Sequence, residues 1–233
     1  MDLWKILILG VVLVGVFLIL WSPPELPKLP PGNRIEWGTF KVVTPAGTKE
    51  EIFGVYPADA GFRVVSIVHE AGKILLEADF LYSPDWTPLA GTLTQRKPKE
   101  VRWIFVFSEG EMIVRKQVGA KETLATVPVE ASSFPWDEGL ISSWYAPMRL
   151  VQEGEGFWAV DVRTGEKAEV RVENVQEAFL SALGRPFPAE RIELSLEEKE
   201  VTVFRQGDLL LALKTPGLQA YLLEILPEGI QEL

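Results

Sequence analysis

From Ile35 onward, apolar and polar residues alternate along the chain with a period of two. The run from Glu100 to Ser108 is the clearest. Val101, Trp103, Phe105 and Phe107 fall on one side of it, and Glu100, Arg102, Ile104, Val106 and Ser108 on the other. Side chains two apart share a face of a strand, so this run predicts a strand with one strongly aromatic face. Ser108-Glu109-Gly110-Glu111 then turns the chain, and Met112, Val114, Lys116 and Val118 carry the pattern back. The same form recurs around Ala71-Gly72, Arg163-Thr164-Gly165-Glu166 and Gln206-Gly207-Asp208. Short glycine-bearing turns between alternating runs are the signature of hairpins. Roughly a dozen strands follow, joined mostly as sequence neighbours. The expectation is a mainly all-β domain over 35–233, a single antiparallel meander curled into a half-barrel or open barrel. A closed barrel and a sandwich are the alternatives.

Two stretches interrupt the alternation. Residues 134–148 open with Pro135, Trp136, Asp137, Glu138 and Gly139 and continue through Leu140, Ile141, Ser142, Ser143, Trp144 and Tyr145. A short helix after Asp137 as its cap is expected there. Residues 175–184 place Ala178, Phe179, Ala182 and Leu183 at helical spacing with Gly184 as a stop, which predicts a second short helix. Both are candidates to cover an open end of the curved sheet.

Before Ile35 the pattern changes. Leu3 to Trp21 is apolar apart from Lys5. At about 19 residues it is long enough to cross a hydrocarbon core of ~30 Å. Trp4 and Trp21 stand at its ends, where aromatic belts form, and Lys5 lies close enough to one end to snorkel. A cleaved signal peptide needs small residues before the cut, whereas this run ends Leu18-Ile19-Leu20-Trp21. Residues 1–21 are therefore expected to be an uncleaved transmembrane signal anchor of a single-pass cell-membrane protein. The N-terminus is expected in the cytoplasm and the β domain outside it. Residues 22–34 hold Pro23, Pro24, Pro27, Pro30 and Pro31 and read as a semi-rigid linker of ~3.1 Å per residue.

Charge narrows the function. The formal net charge is −10, which disfavours nucleic acid as a partner and adhesion to anionic headgroups by charge alone. The chain has no cysteine and one histidine, His69, so a thiolate metal site is excluded and no metal or other cofactor is expected. No Gly-x-Ser-x-Gly elbow surrounds Ser142 or Ser143, and no phosphate-binding glycine loop occurs. Carboxylate pairs such as Asp137 with Glu138 are expected by chance among 33 acidic residues. No catalytic residue is assigned, and the expected class is non-enzymatic.

What remains is an aromatic surplus. Trp103, Phe105, Phe107, Met112, Trp136, Trp144, Tyr145 and Trp158 are the candidate ligand-binding residues. Filling a core is the plain reading of such side chains. Lining a cleft for an acyl chain, with 136–145 as its lid, is the functional one. Docking on another envelope protein is a third. The segment Asp137 to Tyr145, before a hydrophobic strand, is followed by three tail runs: Pro188 to Leu194, Val201 to Phe204 and Gly207 to Leu210. In these the last hundred or so residues resemble a poorly characterised family of secreted β-meander proteins. The architecture is similar to the half-barrels of the lipoprotein carriers LolA and LolB. The resemblance implies a lipid or acyl ligand held in a concave sheet. The family is usually secreted or lipidated through a cysteine, and this chain departs from it there.

The apolar run generates the first prediction. The full chain is expected to sediment with membranes and to resist carbonate extraction. Recovery of a soluble mature chain beginning near Ser22 would overturn the anchor.

Overall fold

The computed structural model describes residues 27–197 and 199–232. The expected anchor at 1–21 lies outside the described residues. Among those described, no helix is long and apolar enough to cross a membrane.

The described residues form fifteen strands in one sheet. The first eight are β1 (Glu36–Thr44), β2 (Gly47–Ala58), β3 (Gly61–Glu70), β4 (Lys73–Tyr82), β5 (Pro88–Gln95), β6 (Val101–Ser108), β7 (Glu111–Val118) and β8 (Lys121–Pro128). The remaining seven are β9 (Ser133–Trp136), β10 (Gly156–Asp161), β11 (Lys167–Ala182), β12 (Arg185–Leu196), β13 (Lys199–Gln206), β14 (Leu209–Thr215) and β15 (Leu218–Leu222). The predicted hairpins form around the turns that announced them.

The order across the sheet runs β8 back to β1, then β15 back to β9. The chain thus starts in mid-sheet, meanders out to one edge, crosses to the other edge and meanders home. Pairing of β1 with β15, from Phe40 with Leu222 to Val43 with Gln219, joins the two meanders. Every pairing is antiparallel except β9 with β10, which is parallel. The two edge strands β8 and β9 are joined by residues 129–132 alone. Five residue steps reach at most about 18 Å, so the sheet must curl until its edges nearly meet.

No ladder pairs β8 with β9; side chains cross the gap instead. Lys167 donates to Glu130 at 2.9 Å. Gly165, at φ +77°, turns so close to Val127 that a Cβ there would stand 2.7 Å from its Cγ2. The fold is an open sheet of barrel-like shape, as expected, with three more strands than the sequence suggested.

A curled sheet of this size encloses more space than its own side chains fill. Small barrels of about eight strands fill themselves, and larger ones need a plug or a channel. Here residues 137–151 enter the interior. They carry a 3-10 turn at Ile141–Trp144 and a one-turn helix α1 at Pro147–Leu150. Leu140, Ile141, Trp144, Tyr145, Met148 and Val151 are all buried there. The segment expected as a lid is therefore an internal plug. The helix expected after Asp137 is reduced to these two short turns. Asp137 caps neither of them; its side chain accepts from the Gly139 amide at 2.9 Å in the turn that precedes the first.

The plug's own amides find their acceptor elsewhere. Glu51, fully buried on the inner face of β2, accepts from the Ile141 amide at 2.5 Å and the Ser142 amide at 2.9 Å. The Ser66 hydroxyl of β3 donates to the same carboxylate at 2.6 Å. Desolvation raises the Glu51 pKa above its ordinary value, and these hydrogen bonds oppose the shift without cancelling it.

The stretch 175–184, expected as a helix, is the outer half of β11. It pairs along its length with β12, from Val175 with Ile192 to Ala182 with Arg185, and Leu183 and Gly184 make the turn. Ala178, Leu180 and Ala182 also fit a period of two, and pairing with β12 satisfies every second backbone group. This hairpin folds over the outside of the sheet, where Leu180 and Ala189 join Phe204, Leu211, Tyr221 and Leu226 in a second core. A third cluster lies outside β2 and β3. There Leu29 packs with Tyr56, Val65 and Ile67, and the Tyr56 hydroxyl donates to the Pro30 carbonyl at 2.9 Å. The end of the proline-rich segment read as a semi-rigid linker is thus docked on the sheet at Leu29 and Pro30.

Two substitutions test the plug anchor. Glu51→Ala orphans two buried amides and a hydroxyl and is expected to cost about 3 kcal/mol in urea unfolding. In the wild type the folded chain holds the Glu51 proton to higher pH than the unfolded chain does. Stability is therefore fully present at low pH and declines as pH rises through the folded value. Glu51→Gln is expected to flatten that decline, which begins in the ordinary carboxylate range and extends above it. Asp137, whose pKa is also raised by desolvation, contributes a remainder of the same sign.

Candidate functional site

The plug divides the interior unequally. At one end α1 and its neighbours seal it. Arg149 donates to Glu36 at 2.6 Å and Asp208 at 2.9 Å, and also to the Tyr145 hydroxyl. Its guanidinium lies 4.5 Å from the Trp86 ring centroid and 4.6 Å from that of Tyr145. Phe62 stacks on the far side of Trp86 at 4.6 Å. Arg205 closes the seal by donating to the Met148 carbonyl. A planar cation lying against two rings, with both terminal nitrogens paired to carboxylates, is well suited to being buried, although its Nε is left without a partner among the described residues.

The other end stays open. A cavity of about 800 Å³ lies there, within the range of small-molecule sites. Its mouth is built from the facing ends of β1 and β2, the ends of β12 and β13, and the β5–β6 and β14–β15 connections. Its walls are the inner faces of β1, β3, β4, β13 and β14, which contribute Val42, Val68, Leu76, Val201 and Leu213. Its floor is the plug, through Trp136, Asp137, Ile141 and Trp144. Leu196 and Leu218 stand near the rim with Lys49, Lys97 and Lys199.

Asp137 is 2% exposed at this floor. Desolvation raises its pKa, and the guanidinium of Arg163 on the β10–β11 turn, paired with it, works in the opposite direction. Arg163 also lies 5.8 Å from the Trp103 ring centroid, so one side chain links the floor, the turn and the inner face of β6.

The structure splits the residues chosen from sequence. Trp136 and Trp144 line the cavity. Trp103, Phe105 and Met112 face inward as expected, but they are buried in the main core and do not line the cavity; Phe107 packs against that core at its margin. Phe105 meets Phe80 edge-on at 5.5 Å and Phe107 at 6.0 Å. The plug occupies the part of the interior that these rings border, which leaves them no open groove. Tyr145 belongs to the sealed end. Trp158 is opposite in facing to its neighbour Phe157, which packs in the core; its ring meets Lys167 at 5.5 Å. An inward position for Trp158 is therefore corrected. His69 is 3% exposed, with Nε2 3.5 Å from a Glu50 oxygen. It has a buried place beside the β3–β4 turn, away from the plug.

The lysines, Arg163 and the aliphatic wall went unread in the sequence. A signal for two of them existed. Lys49 is in phase with Glu51 and Phe53, and Lys199 with Val201 and Val203, so each falls on the inner face of its strand.

Among the described residues, no group of three or more histidine, cysteine or acidic side chains is arranged to hold a metal ion.

The geometry separates core from cavity by substitution. Phe105→Leu is expected to cost about 1 kcal/mol in denaturant unfolding and to leave the affinity for a fluorescent fatty-acid probe unchanged. A fall in affinity at unchanged stability would place Phe105 in the binding site.

No family model matches the sequence, and no curated protein matches it. Among solved structures it is similar to the crystal structure of a beta-barrel-like protein of domain of unknown function DUF1849 from Brucella abortus. The two share 10% identity over 80% of this chain and 94% of that one, with a TM-score of 0.46.

Proposed function

We propose that this is a membrane-anchored envelope protein that binds a hydrophobic, lipid-like ligand without chemical turnover. One observation carries the reading: the sheet encloses a cavity of about 800 Å³, aliphatic and aromatic inside, beneath a polar rim. Apolar walls that bury most of a ligand, with a few polar groups to orient it, are the usual make-up of such sites. The apolar run Leu3 to Trp21 supports tethering by an N-terminal helix, with the β domain on the extracytoplasmic side. The resemblance of the C-terminal part to LolA- and LolB-like carriers belongs to the same reading, as a ligand class and not as a shuttling role.

A second reading has its own observation. Val106, Ile113 and Leu124 are 47%, 37% and 69% exposed on the outer face of β6 to β8. Such a patch beside the edge strand β8 suits a subunit that docks on another envelope protein.

The test is binding of a fluorescent fatty-acid probe to the full chain. Leu218→Trp, at the partly open rim, puts an indole into the cavity mouth without entering the packed core. It is expected to lower probe affinity at least about tenfold while unfolding at the wild-type denaturant concentration, since a blocked pocket loses more than 1.4 kcal/mol of contact. If the wild type binds no such probe, the ligand-binding reading fails and the docking reading replaces it.

A further inference from the structure

We infer that the ligand is an anionic amphiphile, its head group held at the cavity mouth by Lys49, Lys97 and Lys199 and its hydrocarbon tail lying along the aliphatic wall toward Trp144. The inference rests on the ligand-binding reading and specifies the chemistry of the same cavity.

The argument begins with facing. On β2, the inner positions Glu51, Phe53 and Val55 are buried and the next inner position toward the turn is Lys49. On β13, the inner positions Val201 and Val203 are buried and the next one toward the turn is Lys199. A lysine on the outer face of either strand would be fully solvated without further arrangement. On the inner face its ammonium is brought to the mouth of an apolar chamber, and its methylenes extend the chamber wall. Lys97 reaches the same mouth from the β5–β6 connection.

Charge points the same way. The whole chain has 33 acidic residues against 23 basic ones, yet the cavity lining has the opposite balance: four bases, Lys49, Lys97, Arg163 and Lys199, to three acids, Asp137, Glu138 and Asp161. With Arg163 and Asp137 cancelling as a pair, three lysines remain to two acids, Glu138 and Asp161. Asp137 is paired with Arg163. Asp161 accepts from the Arg163 amide at 2.6 Å. Glu138, exposed at the plug entrance, is left to face the lysines. Among the described residues, Lys167 forms an ion pair with Glu130, while Lys49, Lys97 and Lys199 form none.

A positive ring over an apolar chamber, on an otherwise acidic protein, discriminates among amphiphiles. A cationic head meets like charge at the cavity mouth. A neutral head gains the tail contacts alone. An anionic head gains both and is drawn in by the local field.

The experiment uses the full chain in neutral maltoside micelles and a neutral pyrenyl alcohol as the reporter. Dodecanoate, dodecanol, dodecyltrimethylammonium and inorganic phosphate are the competitors. Each is titrated against the wild type and against the triple variant Lys49→Gln, Lys97→Gln, Lys199→Gln. Partition into micelles is common to both proteins and cancels in the ratio of their affinities. In the variant, dodecanoate is expected to lose about tenfold in affinity, as three exposed charge pairs of modest individual strength would give. Dodecanol is expected to bind both proteins equally, which also reports that the variant is folded. Dodecyltrimethylammonium is expected to bind the variant better than the wild type. Equal dodecanoate affinity for the two proteins overturns the lysine head site while leaving ligand binding in place. Displacement of the reporter by inorganic phosphate as well as by dodecanoate also overturns it, since no tail would be needed. If neither the reporter nor any competitor binds the wild type, the ligand-binding reading itself fails and takes this inference with it.

Discussion

A fully buried acidic side chain holds this architecture together. Glu51 sits on the inner face of β2 and gathers two plug amides and one hydroxyl from β3. Burying a charge or a carboxyl group is costly unless its partners are supplied, and so is burying the free amides of a short turn. Each of these costs is offset by the other group. Without the plug, Glu51 would face an apolar interior with Ser66 as its partner. Without Glu51, the turn Ile141–Trp144 would end in unpaired donors inside a barrel. The interaction spans about 90 residues of sequence and fixes where the plug lies, and thereby how the interior is divided.

That division gives the two ends different characters. One end is closed by Arg149, which lies against the rings of Trp86 and Tyr145 and is paired with Glu36 and Asp208. The other keeps a chamber, because the plug leaves β9 through a turn over Asp137–Leu140 and forms only the floor there. The path of the chain makes this feasible. Two meanders joined at β1 and β15 place the crossing between their outer strands next to the gap in the sheet. The segment that follows β9 can pass inside without threading through a closed ladder.

The chamber also organises the charge. The chain is acidic as a whole, but inward-facing phases bring lysines to the mouth and a paired Asp137 to the floor. Their placement follows from the same alternation that builds the core. At each strand end the inner position is the last one before solvent, where a long cationic side chain can stay hydrated while its stem remains apolar.

Much of the fold was legible in sequence because strand alternation and glycine turns are local. The hairpins around Ala71-Gly72, Gly110, Gly165 and Gly207 lie where those signals stand, and the aromatic side of β6 faces inward as its period requires. The stretch 175–184 misled because its apolar residues satisfy both a helical period and a strand period, and only pairing with β12 decides between them. The site was less legible. Of the residues chosen for aromatic bulk, Trp136 and Trp144 reach the cavity, while Trp103 and Phe105 fill core and Trp158 faces the other way. Bulk and phase are written in the chain, and they determined that a wide, curled, aromatic sheet would form. Which part of its interior stays empty depends on where residues 137–151 are held. That was decided by Glu51 and Arg149 reaching across the fold, contacts with no local pattern because their partners are far apart in sequence and close only once the sheet has curled.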